Sequence, residues 1–253
     1  MSRQIAVCSG KGGVGKTFTC INLARALRDL GENVLVVDAD MGLANAQLML
    51  GIAPEMTIAD HIFGGTPLKD VISNVEDGLH LLPGASGDAS LVNLPLNTLS
   101  DLSYEILNSF PNTIILFDIA AGISDQNMHL LQICDTRLVV FIDEPASIAD
   151  SYGVIKLLHR SGHLQNTFLI PNQVSKSEDG KKFHEKMNHL CLSFLGEPVG
   201  YIGSISEDDA VKLSVRKRTP LGNSFPNSTA WCNINNIAKK IVSQKADTDN
   251  PSF

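Results

Sequence analysis

The chain has 253 residues, which is enough for one large α/β domain or two small ones. Its 20 basic and 27 acidic residues give a formal net charge of −7, and this acidic balance argues against a protein that coats nucleic acid. Hydrophobic residues make up 43% of the sequence and charged residues 19%, which is the composition of a folded protein with a core.

The cysteines and the apolar segments indicate the cellular compartment. No C-x-x-C pair of the kind that holds zinc or an iron–sulfur cluster is present, so we interpret the cysteines as reduced, packed thiols. The sequence opens on a strand-like run rather than a secretory leader, and it has no stretch of about 18 apolar residues that could cross a membrane. We therefore expect a cytoplasmic protein. The cysteines are Cys8, Cys20, Cys134, Cys191 and Cys232.

Short apolar runs recur along the chain, and segments with helical periodicity lie between them. This alternation predicts an α/β fold with a doubly wound, mostly parallel sheet and helices on both faces. The predicted strands cover residues 5–8, 34–37, 113–117, 138–142, 168–170 and 199–202. A further apolar run at 79–83 predicts an edge strand, because Pro83 and Gly84 end it abruptly.

Four segments of the chain have helical periodicity. The first, 17–30, has one apolar stripe and stops at Gly31, a suitable left-handed cap. Another begins near Ser147, and two closing helices are predicted at 206–218 and 225–244, the latter with Asn227 and Ser228 as cap candidates.

The first predicted strand is followed directly by a complete phosphate-binding pattern. Residues 10–17 read Gly-Lys-Gly-Gly-Val-Gly-Lys-Thr, which matches G-x-x-x-x-G-K-[ST] and leads into a helix. Glycines let backbone N–H groups surround phosphate oxygens, and the helix N-terminus adds partial positive charge. Lys16 neutralises the outer phosphates, and the Thr17 hydroxyl can reach Mg²⁺. This motif predicts a nucleotide site.

Carboxylates follow two further predicted strands. Asp38 and Asp40 come after the run at 34–37, and Asp118 comes after the run at 113–117. Because parallel strands bring their carboxyl ends to one edge of the sheet, we expect all three beside the phosphate loop. Asp118 is expected to hold the water shell of Mg²⁺.

Lys11 is a second lysine in the loop, five residues before Lys16, and ordinary nucleotide loops do not need it. With it, three motifs resemble the MinD/ParA family of deviant Walker A ATPases: the loop at 11–17, Asp-Ala-Asp at 38–40 and Phe-Asp-Ile-Ala-Ala-Gly-Ile at 117–123. The likeness spans nearly the whole chain. It implies a MinD-like P-loop NTPase domain over residues 1–245, and the polar composition of residues 246–253 predicts a disordered tail after it.

Within that family the sequence most resembles the flagellar-number regulators FlhG/FleN. The resemblance rests on residues 38–45, 118–124 and 143–150, which read Asp-Ala-Asp-Met-Gly-Leu-Ala-Asn, Asp-Ile-Ala-Ala-Gly-Ile-Ser and Asp-Glu-Pro-Ala-Ser-Ile-Ala-Asp. It implies a switch that dimerises with ATP and regulates flagellar number or placement through a partner.

The resemblance also implies roles for individual residues. Lys11 would cross an ATP-sandwich dimer to the partner's nucleotide, and Asp40 would orient the attacking water. Gly122 would contribute a backbone N–H to the γ-phosphate, and Asn172 would read the adenine. The implied sites are Lys11, Lys16 and Asp40 for catalysis; Gly12, Gly13, Val14, Gly15, Lys16, Thr17, Phe18, Gly122 and Asn172 for ATP or ADP; and Thr17, Asp38 and Asp118 for Mg²⁺, partly through water. Such a site implies slow hydrolysis tied to dimerisation.

The resemblance also implies protein partners, and the sequence departs from the family pattern at two points. The implied partner is a FleQ-type transcription activator or a flagellar GTPase. The N-terminal extension that stimulates the GTPase is absent from this sequence, so that activity is not expected. Ser206 stands where the family commonly has a proline beside the adenine.

Three alternative readings stay open. A stripe from Trp231 to Val242 resembles a membrane-anchoring helix, although core packing is favoured and at most weak membrane binding, at the inner face or the cell pole, is expected. Residues 216–218, Arg-Lys-Arg, would serve a ParA-type partition or positioning ATPase acting on DNA or chemoreceptors, but direct DNA binding is not expected of so acidic a chain. A metabolic P-loop enzyme is the third alternative.

Overall fold

The computed structural model describes residues 2–40, 42, 44–87, 89–92 and 94–249. The strands are β1 (Arg3–Cys8), β2 (Asn33–Ala39), β3 (Ser73–Glu76), β4 (Leu79–Leu82), β5 (Thr113–Ile119), β6 (Thr136–Phe141), β7 (Thr167–Pro171) and β8 (Gly200–Tyr201). The helices are α1 (Lys16–Asp29), α2 (Ala46–Leu50), α3 (Ile58–Ile62), α4 (Leu68–Val71), α5 (Ala89–Val92), α6 (Leu96–Ser109), α7 (Asp125–Ile133), α8 (Pro145–Arg160), α9 (Ser177–Leu195), α10 (Asp209–Lys217), α11 (Leu221–Ser224) and α12 (Thr229–Asp249).

The strands form one sheet in the order β3-β4-β2-β5-β1-β6-β7-β8. Neighbouring strands run parallel except β3 and β4. In β1, Ile5 and Val7 pack with α1 and α12 on one face, whereas Ala6 and Cys8 pack with α6 to α9 on the other. Successive residues of a strand point to opposite faces, so one apolar strand supplies both cores. The predicted doubly wound sheet is confirmed.

The first helix begins and ends within one residue of its predicted bounds. The prediction was 17–30, and α1 runs from Lys16 to Asp29. Gly31 then has a φ of +88°, in the left-handed region that glycine enters without a Cβ penalty. The glycine therefore ends the helix as its position in the sequence indicates.

The prediction of an edge strand at 79–83 was half right. A strand does run from Leu79 to Leu82, but β4 is an interior strand that pairs with β2 on one side and with β3 on the other. Pro83 lies just beyond the ladder, so its missing N–H does not exclude an interior position. The edge is β3, whose sequence Ser-Asn-Val-Glu lacks an apolar run and gave no strand signal.

Both predicted C-terminal helices are present, and each begins three or four residues later than predicted. Instead of 206–218, α10 spans Asp209–Lys217, and α12 begins at Thr229, with Ser228 Oγ accepting a hydrogen bond from the Trp231 amide. The apolar stripe of α12 is buried against the sheet with α1, which confirms core packing for that stripe. Residues 246–249 of the predicted tail lie within α12, and 250–253 lie outside the described residues. Across the described chain, no helix has the length and apolar character needed to cross a membrane.

Candidate nucleotide site

The phosphate loop joins β1 to α1 at the carboxyl edge of the sheet. Gly15 precedes the helix with a φ of +90°, and its carbonyl accepts the first helical hydrogen bond, from the Thr19 amide at 2.9 Å. A Cβ at Gly10 would overlap the backbone of Asp150 and Ser151 in α8. Glycine is therefore required at both positions, once for the backbone angle and once for space.

Lys16 lies inside the site and bridges two predicted metal ligands. Its Nζ is 2.6 Å from Asp118 Oδ1 and 3.4 Å from Thr17 Oγ1, and both the ammonium and the carboxylate are almost fully buried. Burial is the largest single influence and lowers the pKa of Lys16, but the charge and hydrogen bond of Asp118, together with the smaller effects of Cys20 and Asp40, outweigh it and the pKa is raised. The lysine therefore keeps its positive charge at the point where phosphates would bind.

Asp38 faces Asp118 across the β2–β5 ladder. The two residues are register partners, and both side chains are buried. Burial, together with the charge of Asp118, raises the pKa of Asp38 to about 7. Asp38 also accepts hydrogen bonds from the amides of Asp40 at 3.3 Å and Ala46 at 3.0 Å, which ties the start of α2 to this carboxylate.

The residues at this point fit a magnesium ion. Asp118 Oδ2 is a buried oxygen without a hydrogen-bond partner among the described residues, and the Thr17 hydroxyl and Asp38 lie around the same ammonium and carboxylate. Within the described ranges, no cluster of three or more His, Cys, Asp or Glu side chains could enclose a metal alone. Mg²⁺ commonly takes one or two carboxylates and completes its shell with water and phosphate oxygens, which agrees with so sparse a donor set.

A cavity of about 460 Å³ opens beside the loop, a size typical of ligand pockets. Of the predicted site residues, Gly12, Gly13, Gly15, Lys16, Thr17, Phe18, Asp40 and Asn172 line it. Val14 is buried below the cavity, and its carbonyl accepts a hydrogen bond from Asn172 Nδ2. These residues converge from β1, β2 and β7, as expected for strand ends that share one edge.

Two predicted residues make contacts that the sequence did not indicate. Lys11 Nζ forms an exposed ion pair with Glu144 Oε2 at 2.9 Å, just before α8. The Gly122 amide, which the resemblance assigns to the γ-phosphate, donates to the Ser9 carbonyl at 3.0 Å, and Ala121 lines the cavity in its place. In this conformation both groups are engaged within the chain.

The far wall of the cavity was missed by the sequence reasoning. It comes from the segment after β7, from the segment before α10, from α10 itself and from α2. These segments all follow strands that end at the carboxyl edge of the sheet. They share no sequence motif that could have located them. The missed residues are Ser9, Asn45, Met49, Ala121, Gln173, Glu207, Asp208, Val211, Lys212 and Val215, together with Ser206, which was noted only as a departure.

Comparison with known proteins agrees with this geometry. The family model described as the CobQ/CobB/MinD/ParA nucleotide binding domain matches residues 5–221. The chain belongs to this MinD/ParA family. The match runs from β1 through the phosphate loop to α11 and so includes each strand that supplies a site residue.

Individual relatives place the chain near the flagellar members of the MinD/ParA family. It is 36% identical to "Antiactivator FleN" of Pseudomonas aeruginosa, covering 96% of this chain and 86% of that protein. It is 32% identical to "Flagellum site-determining protein YlxH" of Helicobacter pylori, over 96% of this chain and 83% of that protein. The septum site-determining protein MinD of Pyrococcus horikoshii, solved as a complex with Mg-ADP, has a TM-score of 0.82 and 25% identity over 97% of this chain and 98% of that chain.

Proposed function

We propose that this chain is a Mg²⁺-dependent ATPase switch that dimerises with ATP and regulates flagellar number or placement. The observation that carries the proposal is the buried group of Lys16, Asp118 and Asp38. This group lies beside the glycine-rich loop and a cavity of the size that ligands occupy. FleN and YlxH, to which the chain is similar over most of its length, bear names that refer to antiactivation and to flagellar site determination.

The loop and its neighbours supply the charge stabilisation that phosphoryl transfer needs. Backbone amides of the loop hold the phosphates, and Lys16 turns from Asp118 toward their outer oxygens. Thr17, Asp38 and Asp118 would hold Mg²⁺, directly or through water, and the bound ion would supply positive charge to neutralise the phosphates. Asp40, at the rim of the cavity, orients the attacking water.

Lys11 connects hydrolysis to dimerisation in this proposal. Its side chain is 40% exposed and reaches out of the loop toward Glu144 rather than into the site of its own chain. A lysine in this position can contact a second chain's nucleotide only when two loops face each other. The full rate of hydrolysis then needs both chains, and a monomer turns ATP over slowly.

Two variants test the switch. Asp40→Ala should bind ATP, release phosphate slowly and accumulate as a dimer, because the phosphates stay in place. Lys11→Ala should remain monomeric in ATP. Light scattering with and without ATP gives the mass, and a phosphate-release assay gives the rate. Equal masses for both variants in both conditions would exclude the sandwich dimer.

We further propose that the ATP dimer acts through a protein partner, a FleQ-type transcription activator or a flagellar GTPase, in the cytoplasm or at the inner membrane face or cell pole. Loops ordered by nucleotide change the surface, and a tenfold preference of a partner for the dimer needs only about 1.4 kcal/mol. Deleting the gene and counting flagella tests this role. Altered flagellar number or position supports it, and normal flagella contradict it.

One observation keeps the ParA-type alternative in view. Arg216, Lys217 and Arg218 are exposed at the end of α10, beside the cavity wall. DNA binding by these residues would be independent of sequence and sensitive to salt, and it would disappear when all three are neutralised. A mobility-shift titration with the ATP form at two salt concentrations separates this alternative from the flagellar regulator.

A further inference from the structure

We propose that Asn172 is a positioning residue that holds the phosphate loop in its binding conformation, in addition to any contact with the base. Its side chain is buried at the end of β7. The Nδ2 group donates to the Val14 carbonyl at 2.7 Å, and Oδ1 accepts from the Gln173 amide at 2.9 Å. The second bond fixes the orientation of the amide, so that its N–H groups face the loop.

The backbone around Asn172 is hydrogen-bonded to the sheet and to the segment after β8, and these bonds do not involve the phosphate loop. Its own amide donates to the Phe141 carbonyl at 2.7 Å, which extends the β6–β7 pairing. The Ile205 amide donates to Pro171, and the Val174 amide donates to Ile205. Because these bonds fix the backbone on both sides of Asn172, its side chain holds the phosphate loop at a fixed position relative to the sheet.

The Asn172 amide also occupies the space next to Gly15. A Cβ at Gly15 would overlap Asn172 Nδ2, so the amide fills the volume that a side chain would take. The Val14 carbonyl has lost its contact with water, because Val14 is buried, and it depends on Asn172 for its hydrogen bond. Removing the amide leaves both an unpaired carbonyl and an unfilled space beneath the loop.

This assignment rests on the proposed function, since it presumes that a nucleotide fills the cavity. Each amide end has one hydrogen bond within the chain and one remaining donor or acceptor position. A base that contacts Asn172 therefore contacts the residue that anchors the loop. A positioning role predicts weaker binding of every nucleotide by a similar factor, whereas a pure base reader predicts lost discrimination between bases.

The test compares Asn172→Ala and Asn172→Asp with the unmodified chain. The Asp variant keeps the acceptor for Gln173 but faces the Val14 carbonyl with a second oxygen, so it removes the donor without changing the size. Hydrogen exchange is followed at the Thr19 amide, which is bound to Gly15, and at Val36 in the core as a reference. Asn188→Ala, which removes a side-chain hydrogen bond to the Val199 amide and does not line the cavity, is the matched control.

We expect exchange at Thr19 to accelerate about five- to tenfold in both Asn172 variants without nucleotide, in line with one lost buried hydrogen bond. Exchange at Val36, and exchange at Thr19 in the Asn188 variant, should not change. Mg-ADP and Mg-GDP should both bind more weakly by similar factors. Unchanged exchange at Thr19, together with loss of the preference for ADP over GDP, would overturn the assignment. Failure of the unmodified chain to bind Mg-ADP would instead refute the proposed function, and the exchange comparison would still decide the role of Asn172.

Discussion

The charges at the centre of the site compensate one another only in part. Lys16 neutralises Asp118 at 2.6 Å, while Asp38 lies beside the same carboxylate with no cation of its own at that distance in the described structure. When both carboxylates are ionised, they and the single ammonium leave an excess of negative charge. In the proposed function a divalent cation bound here would relieve this excess, and Lys16 would then be available to contact the phosphates.

Replacing Lys16 with Ala should therefore have two effects. ATP affinity should fall at least about tenfold, because a charge-assisted contact to the phosphates is lost. The free energy of unfolding should also fall by about 3 to 5 kcal/mol, because Asp118 becomes a buried charge without a partner. Calorimetry measures the first effect and urea unfolding the second.

The double variant Lys16→Ala with Asp118→Asn separates these effects. With the buried charge removed, stability should recover in part, whereas ATP affinity should stay low. If Lys16→Ala binds ATP as tightly as the unmodified chain, the assignment of this ammonium to the phosphates is wrong.

The cysteines give a second prediction at this scale. Four of the five are buried, and only Cys232 is exposed. Burial raises the pKa of the Cys8 thiol to about 12, and burial also raises the pKa of Cys20 and of Cys134, so these thiols stay protonated and unreactive near neutral pH.

A thiol reagent at pH 8 should modify one cysteine rapidly in the folded protein and all five in denaturant. Cys232→Ser should abolish the rapid reaction. Mass spectrometry of the labelled protein counts the modified sites. Rapid modification of any cysteine in the folded Cys232→Ser variant would show that the cores are more open than the structure indicates.

At the scale of elements, one carboxylate organises the two helices that close the fold. Asp208 Oδ1 accepts from the Ala210 amide at 2.9 Å and caps α10, and Oδ2 accepts from the Ala230 amide at 3.1 Å at the start of α12. Since α10 forms a wall of the cavity and α12 packs on α1, this side chain links the site to the core.

Asp208→Ala should lower the free energy of unfolding by about 2 kcal/mol, because each lost cap is worth about 1 kcal/mol. Asp208→Asn keeps one acceptor oxygen, so about half of that loss is expected. Urea unfolding of the two variants gives the comparison. Equal stability of both variants and the unmodified chain would mean that the two amides find other acceptors.

At the scale of the whole molecule, the parallel sheet decides where the chemistry lies. Strands β1, β2, β5 and β7 end at one edge, and the loops after them bring residues from distant parts of the chain to one cavity. Lys11 extends from this edge and is paired with Glu144. If it reaches a second chain, it has to leave that pair.

Glu144→Gln should therefore favour the ATP dimer. An exposed pair contributes at most about 1 kcal/mol and a symmetric dimer breaks two of them, so the dimer should bind up to about thirtyfold more tightly, while the free energy of unfolding changes by less than about 0.5 kcal/mol. Sedimentation or light scattering over a concentration series measures the dimer affinity. Glu144→Gln combined with Lys11→Ala should not dimerise, and weaker dimerisation of the single variant would place Glu144 in the interface.

The sequence by itself determined the features that depend on neighbouring residues. Apolar alternation located the parallel strands, Gly31 ended α1, and the glycine-rich pattern located the loop between β1 and α1. Backbone preference and burial of one face act over a few residues, so a short stretch of sequence contains the whole signal. The carboxylates could be assigned to the loop because parallel strand ends always share an edge.

Only the tertiary structure decided the contacts between segments that are far apart in the chain. Asn172 reaches Val14 across 158 positions and Lys11 reaches Glu144 across 133, and neither pair has a local signal. The interior position of β4 depended on β3, whose polar sequence becomes a strand through pairing. The wall formed by α10 follows from where that helix lies, against α11 and beside the cavity. Such contacts depend on the geometry of packed elements, and many residue types can satisfy that geometry, so the sequence does not specify it in advance.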